Sequence, residues 1–156
     1  MTAFLTRFGV LLLWTLHWLP LSLQATIGNL VGWLAYFLTS RRRKVAQRNL
    51  ELCFPEMSGP ELRRLVRRNF QASVRAVLEH GLLIWASGER LRRIIRVEGQ
   101  EHLDDNMGEP LILLAPHFIG LDMAGSRLAM MDRMASFYAP VRNSIANHYL
   151  LYLRSR

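Results

Sequence analysis

The sequence predicts an α/β domain with a mixed, largely parallel sheet, carried behind an N-terminal membrane helix. Three observations predict it. Residues 8–38 hold no formally charged side chain. From residue 94 onward the pattern reads strand, helical turn, strand, helix, strand, helix, the alternation of parallel strands with crossover helices. "PLILLA", residues 110–115, is a continuous apolar run of strand length, as in a strand buried on both faces.

The apolar stretch comes first. A hydrocarbon core ~30 Å thick takes about 20 apolar residues in a helix. Residues 8–38 are long enough, but Pro20 divides them into "FGVLLLWTLHWL" and "LSLQATIGNLVGWLAYFL". Three readings compete. A cleaved signal peptide fits Arg7 ahead of an apolar core, but "SLQA" is a poor cleavage site and the apolar character resumes at Ile27. A buried soluble hairpin would have to cover Trp14, Trp18, Trp33 and Tyr36. A kinked spanning helix, or a short helix leading into a spanning one, fits best, with Trp and Tyr near the ends suiting the interface belt. "SRRRK", residues 40–44, follows directly, against a lone Arg7 before it, so the positive-inside rule places the rest of the chain in the cytoplasm. Residues 1–39 are therefore read as a membrane anchor and 40–156 as the part that carries the chemistry.

The net charge of +8 comes from 20 basic and 12 acidic residues, and every basic residue but Lys44 is arginine. Nucleic acid is one partner for such a chain. An anionic membrane surface, or lipids bearing phosphate, is the other, and arginine forks suit phosphate oxygens. The adjacent anchor favours lipid, and no nucleic-acid recognition motif accompanies the charge. The single cysteine, Cys53, excludes an intrachain disulfide and a cysteine-based zinc cluster. Nothing in the pattern calls for a metal or another cofactor.

After the arginine cluster, "VAQRNLELCFPE" continues as a short helix until Pro55 interrupts it. "SGPE", residues 58–61, has Ser and Glu at capping-box spacing with Pro60 early in the first turn, so a helix starts there. Leu62, Leu65, Val66, Phe70, Val74, Val77 and Leu78 give it one apolar face. Arg63, Arg64, Arg67, Arg68 and Arg75 lie largely off that face, which is either a solvated surface or a seat for anionic headgroups. "IIRVEG" reads as a short strand ended by Gly99, "QEHLDDNM" as a helical turn closed by Gly108, and "PLILLA" as the buried strand. "LDMAGSRLAMM" reads as helix, "ASFYAPV" as strand and "NSIANHYLLYLRSR" as a final helix.

His117 falls just past the buried strand, at the end where ligands collect in α/β sheets. Asp122 then lies in the first turn of the next helix, where a carboxylate is favoured by the macrodipole. A turn that folds back lets the carboxylate accept a hydrogen bond from one imidazole nitrogen, leaving the other to take a proton from a hydroxyl. Such a dyad needs no serine or cysteine nucleophile when an alcohol attacks a thioester or ester directly. Gly120 between them permits close approach of a substrate. Spacing alone also fits a strand-ending histidine satisfied by backbone. His17, His80, His102 and His148 show no patterned carboxylate and no metal-ligand spacing, and Asp104, Asp105 and Asp132 read as surface.

Four blocks, "RRRKVAQRNLELCFPE", "VEGQEHL", "APHFIGLD" and "FYAPVRNSIANHYLLYLRSR", stand in this order behind the membrane segment. Together they resemble the amino-terminal half of the lipid A biosynthesis lauroyl/myristoyl acyltransferases of Gram-negative bacteria. The resemblance implies a glycerolipid-acyltransferase-like α/β domain. It further implies transfer of an acyl chain from acyl carrier protein to a hydroxyl of a Kdo-bearing lipid A precursor, at the cytoplasmic face of the inner membrane. His117 matches the family's general base and Asp122 its orienting acid, with no covalent intermediate. Arg154 or Arg156 matches a family arginine that holds phosphate or stabilises oxyanion charge, and Asn143 helps shape that region. Members of the family are longer, so 40–156 is expected to be the amino-terminal part of the domain, as a fragment or a truncated product. The alternatives are another lipid O-acyltransferase of the same superfamily, or an inactive membrane-anchored module that binds lipid.

Overall fold

A computed structural model of the chain describes residues 2–106, 108–137 and 139–155, and the regular elements among them are all helices. They are α1 (Thr2–Leu16), α2 (Leu21–Leu38), α3 (Ser40–Cys53), α4 (Gly59–Trp85), α5 (Gly88–Ile94), α6 (Glu101–Asp104), α7 (Leu121–Ala129) and α8 (Ser144–Arg154). The chain divides into two compact units, Leu13–Glu79 and Met1–Leu12 with His80–Arg156.

No strand exists among the described residues, so the mixed, largely parallel sheet expected from residue 94 onward is not formed. Ile94 closes α5 instead of opening a strand. Residues 110–118 and 133–137 have no regular structure. The reason is that a strand, unlike a helix, finds its hydrogen bonds only in a neighbouring chain segment. A pattern of apolar residues states a preference for burial but supplies no partner. Ile112 and Leu114 are 99% and 96% exposed, so the run has no layers to lie between. The helical readings fared differently, because their hydrogen bonds are local.

Pro20 separates α1 from α2, and among the described residues α2 alone is long and apolar enough to cross a membrane, with mean hydropathy 1.3 over 18 residues. Its buried residues, Gln24, Gly28, Gly32 and Tyr36, recur every four positions and form one stripe. That stripe meets α4. A Cβ on Gly32 would sit 2.5 Å from the Gln71 Cα, so only glycine admits the α4 backbone this close. Gln71 Nε2 donates to the Asn29 carbonyl at 3.3 Å. At the C-terminal end of α2, the Tyr36 ring stands edge-on to Phe70, and the Arg43 and Arg67 guanidinium groups lie 5.1 and 5.5 Å from its centroid.

The start of α4 is the predicted cap. Glu61 Oε2 accepts from the Ser58 hydroxyl at 2.6 Å and from the Ser58 N–H at 3.1 Å. Of the predicted apolar face, Leu62, Val66 and Leu78 are buried, whereas Val77 is exposed.

The other unit has its own core. Leu82, Leu83, Ile84 and Ala86, at and just past the end of α4, are buried on all sides. Leu91 of α5 and Leu153 of α8 complete the cluster, and Met123 of α7 and Tyr149 of α8 pack against it. Trp85 and Tyr149 meet edge-on, with ring centroids 5.6 Å apart. This core fixes the ends of α4, α7 and α8 relative to one another, and the site grows from those ends.

Candidate functional site

The turn before α7 is built by Gly120, whose φ of 93° is left-handed and suits a residue without a Cβ. The Leu121 N–H donates to the Phe118 carbonyl across it. Asp122 follows in the first turn of α7, where backbone N–H groups and the helix dipole favour its negative charge.

Asp122 binds a histidine, but it is His80. The His80 Nε2 donates to Asp122 Oδ2 at 3.1 Å. Arg154 Nη2 reaches the other oxygen, Oδ1, at 3.5 Å. The three side chains come from α4, α7 and α8, and each is about a third exposed (27%, 35% and 38%). His117 lies exposed in the segment before the turn, and no hydrogen bond joins it to Asp122. The carboxylate has four lone-pair sites, of which two are used, so it retains capacity for a further donor.

The remaining predicted site residues fall as follows. Asn143 caps α8, its Oδ1 accepting from the N–H groups of Ile145 and Ala146, while its Nδ2 donates to the Thr6 hydroxyl at 2.8 Å. Arg154 closes the same helix, so Asn143 and Arg154 stand at its two ends. Arg156 lies outside the described residues.

His80 is the residue that sequence reasoning missed. It stands 42 positions from Asp122 and carries no local signal. Its helix register places it on the acid only once α4 and α7 share a core.

The unit Leu13–Glu79 contains a second feature, an open cleft of about 500 Å³ lined by Asn29, Arg68, Asn69, Gln71 and Arg75. The stem of Arg75 lies over Gly28, where a Cβ would come 2.6 Å from its Cγ. Neither Arg68 nor Arg75 has an acidic partner among the described residues.

The family model described as bacterial lipid A biosynthesis acyltransferase matches residues 1–156. The lipid A biosynthesis lauroyltransferase of Escherichia coli (strain K12) is 33% identical over 143 residues, 90% of this chain and 47% of that protein. The lipid A biosynthesis palmitoleoyltransferase of the same organism is 30% identical over 145 residues, with the same coverage of 90% and 47%. A lipid A biosynthesis acyltransferase of Haemophilus influenzae is 30% identical over 129 residues, 81% of this chain and 42% of that protein. The chain spans about half the length of the curated relatives it matches. No solved structure matches it significantly.

Proposed function

The chain belongs to the bacterial lipid A biosynthesis acyltransferase family, and on that premise we propose that it moves a fatty acyl chain from acyl carrier protein to a hydroxyl of a Kdo-bearing lipid A precursor. Residues 1–39 anchor it in the inner membrane and residues 40–156 carry the chemistry on the cytoplasmic side. His117 takes the proton of the acceptor hydroxyl as that oxygen attacks the thioester carbonyl. The tetrahedral intermediate then expels the carrier's thiolate, which recovers the proton from the His117 imidazolium. No enzyme-bound acyl group forms. Asp122 is the acid that orients the base, and Arg154 stands close enough to this carboxylate to meet phosphate or oxyanion charge.

The observation that carries this reading is the family match across the whole chain, the His117-to-Asp122 segment included. Two features support it. His117 is open to solvent, as an imidazole that must meet a lipid hydroxyl has to be. The relatives' names, lauroyltransferase and palmitoleoyltransferase, are those of enzymes that transfer fatty acyl chains. The test holds the acyl carrier protein donor fixed and exchanges acceptors. Label is expected on a Kdo-bearing lipid A precursor and not on a glycerol-based lipid. Transfer to the glycerolipid alone would favour the broader superfamily and refute this acceptor.

The arginine cleft favours a second reading, an element that holds anionic lipid without turnover. Under it, Arg68→Gln with Arg75→Gln weakens binding to anionic vesicles, and neither the wild-type chain nor any variant transfers label. The two readings separate at His117→Ala, which abolishes transfer in the first and changes nothing in the second.

A further inference from the structure

The acid of the reaction centre is held by a histidine from elsewhere in the chain, and we propose that His80 is a positioning residue for Asp122. The inference rests on the reading of Asp122 as part of the reaction centre. Each of the three interacting side chains sits beside a residue anchored in one apolar core: His80 two positions before Leu82, Asp122 next to Met123, and Arg154 next to Leu153. The convergence is therefore set by packed helices and not by long side chains meeting in solvent.

The two donors take different oxygens, Nε2 of His80 on Oδ2 and Nη2 of Arg154 on Oδ1. A carboxylate held at one oxygen still swings about its Cβ–Cγ bond, whereas one held at both keeps its plane. The lone pairs left over are open to a donor from the 110–118 segment. The left-handed turn at Gly120 separates that segment from the clamp. The His80 Nε2 faces the carboxylate. It positions the acid and takes no proton from substrate. Asp122 from α7 faces its ring, and Arg154 from α8 stands across the carboxylate.

The test records the imidazole 15N and N–H proton resonances of the 15N-labelled chain in detergent micelles at one fixed pH, in wild type and in Asp122→Asn. Loss of the carboxylate that accepts from Nε2 is expected to shift the His80 ring resonances, and to leave those of His117 in place. A shift at His117 without one at His80, or at neither, overturns the proposal. A second arm measures acyl transfer in His80→Gln, which keeps an N–H donor, and His80→Leu, which does not, after both are shown to retain the wild-type thermal transition. Leu is expected to lower kcat about tenfold at unchanged KM, and Gln to restore most of it, as for a supporting hydrogen bond whose loss misplaces a reacting group. Equal losses in both overturn the positioning role. Failure of the function reading looks different: full transfer in His117→Ala removes the base but leaves the Asp122→Asn shift at His80 standing.

Discussion

Replacing Gly32 with alanine asks whether α2 and α4 are as closely apposed as the structure has them. The added Cβ would lie 2.5 Å from the Gln71 Cα, 2.8 Å from the Phe70 carbonyl oxygen and 2.9 Å from the Gln71 nitrogen. All three are backbone atoms, so no side chain can turn aside. Ordinary contact needs ~1 Å more, and the helices must part by about that much. Over-packing of this kind costs about 1–3 kcal/mol, and parting also strains the 3.3 Å bond from Gln71 to the Asn29 carbonyl, worth about 1 kcal/mol net. Against this, alanine gains about 0.5–1 kcal/mol of helix propensity over glycine. Gly9 of α1 isolates that gain, because nothing lies within 4 Å of the place its Cβ would take. The two variants should therefore differ in unfolding free energy by about 2–4 kcal/mol, Gly32→Ala below wild type and Gly9→Ala at or above it. Unfolding in mixed micelles with a denaturing detergent, followed by far-ultraviolet circular dichroism, reads the difference. Equal stability of the two variants would refute the close α2–α4 contact.

Tyr36 tests the same interface from its aromatic end. Its ring is 7% exposed, so Tyr36→Ala should lose about 3 kcal/mol in the same assay, while Tyr36→Phe keeps the ring beneath Arg43 and Arg67 and stays within about 0.5 kcal/mol. Glu61 gives a pH signature. Hydrogen bonds from the Ser58 hydroxyl and then the Ser58 N–H hold its pKa below the ordinary carboxylate value of 4.5. A depressed folded pKa means stability fully present above the unfolded value and lost as pH falls through the lower, folded one. Unfolding midpoints measured down through that acid range should fall in wild type and fall less in Glu61→Gln; identical slopes would contradict the cap.

How much of this was legible in the sequence depended on the range of the interaction. The cap at Ser58 and Glu61, the break at Pro20 and the helices α3, α7 and α8 rest on hydrogen bonds a few residues long, and the pattern placed them well. The sheet rested on pairing between distant segments. The apolar run 110–115 marked a preference for burial that no neighbour meets, with Ile112 and Leu114 bare. Asp122 was placed in the first turn of a helix, where it stands, but the local pattern held no sign of its distant partners. The turn at Gly120 leaves the carboxylate open to α4 and α8, and His80 reaches it from 42 residues away. The apolar face of α4 was read as one stripe, yet Val77, close to the point where the chain passes from one unit to the other, is exposed. The glycine stripe of α2 states its meaning only once α4 lies against it.

The most direct test of the account is acyl transfer itself. With labelled acyl–acyl carrier protein and a Kdo-bearing lipid A precursor, membranes carrying the wild-type chain should move label to the acceptor. His117→Ala should lower that rate by about 10²-fold or more, as for a lost general base. A wild-type chain that transfers no label, or a His117→Ala chain that transfers it at the wild-type rate, would contradict the account.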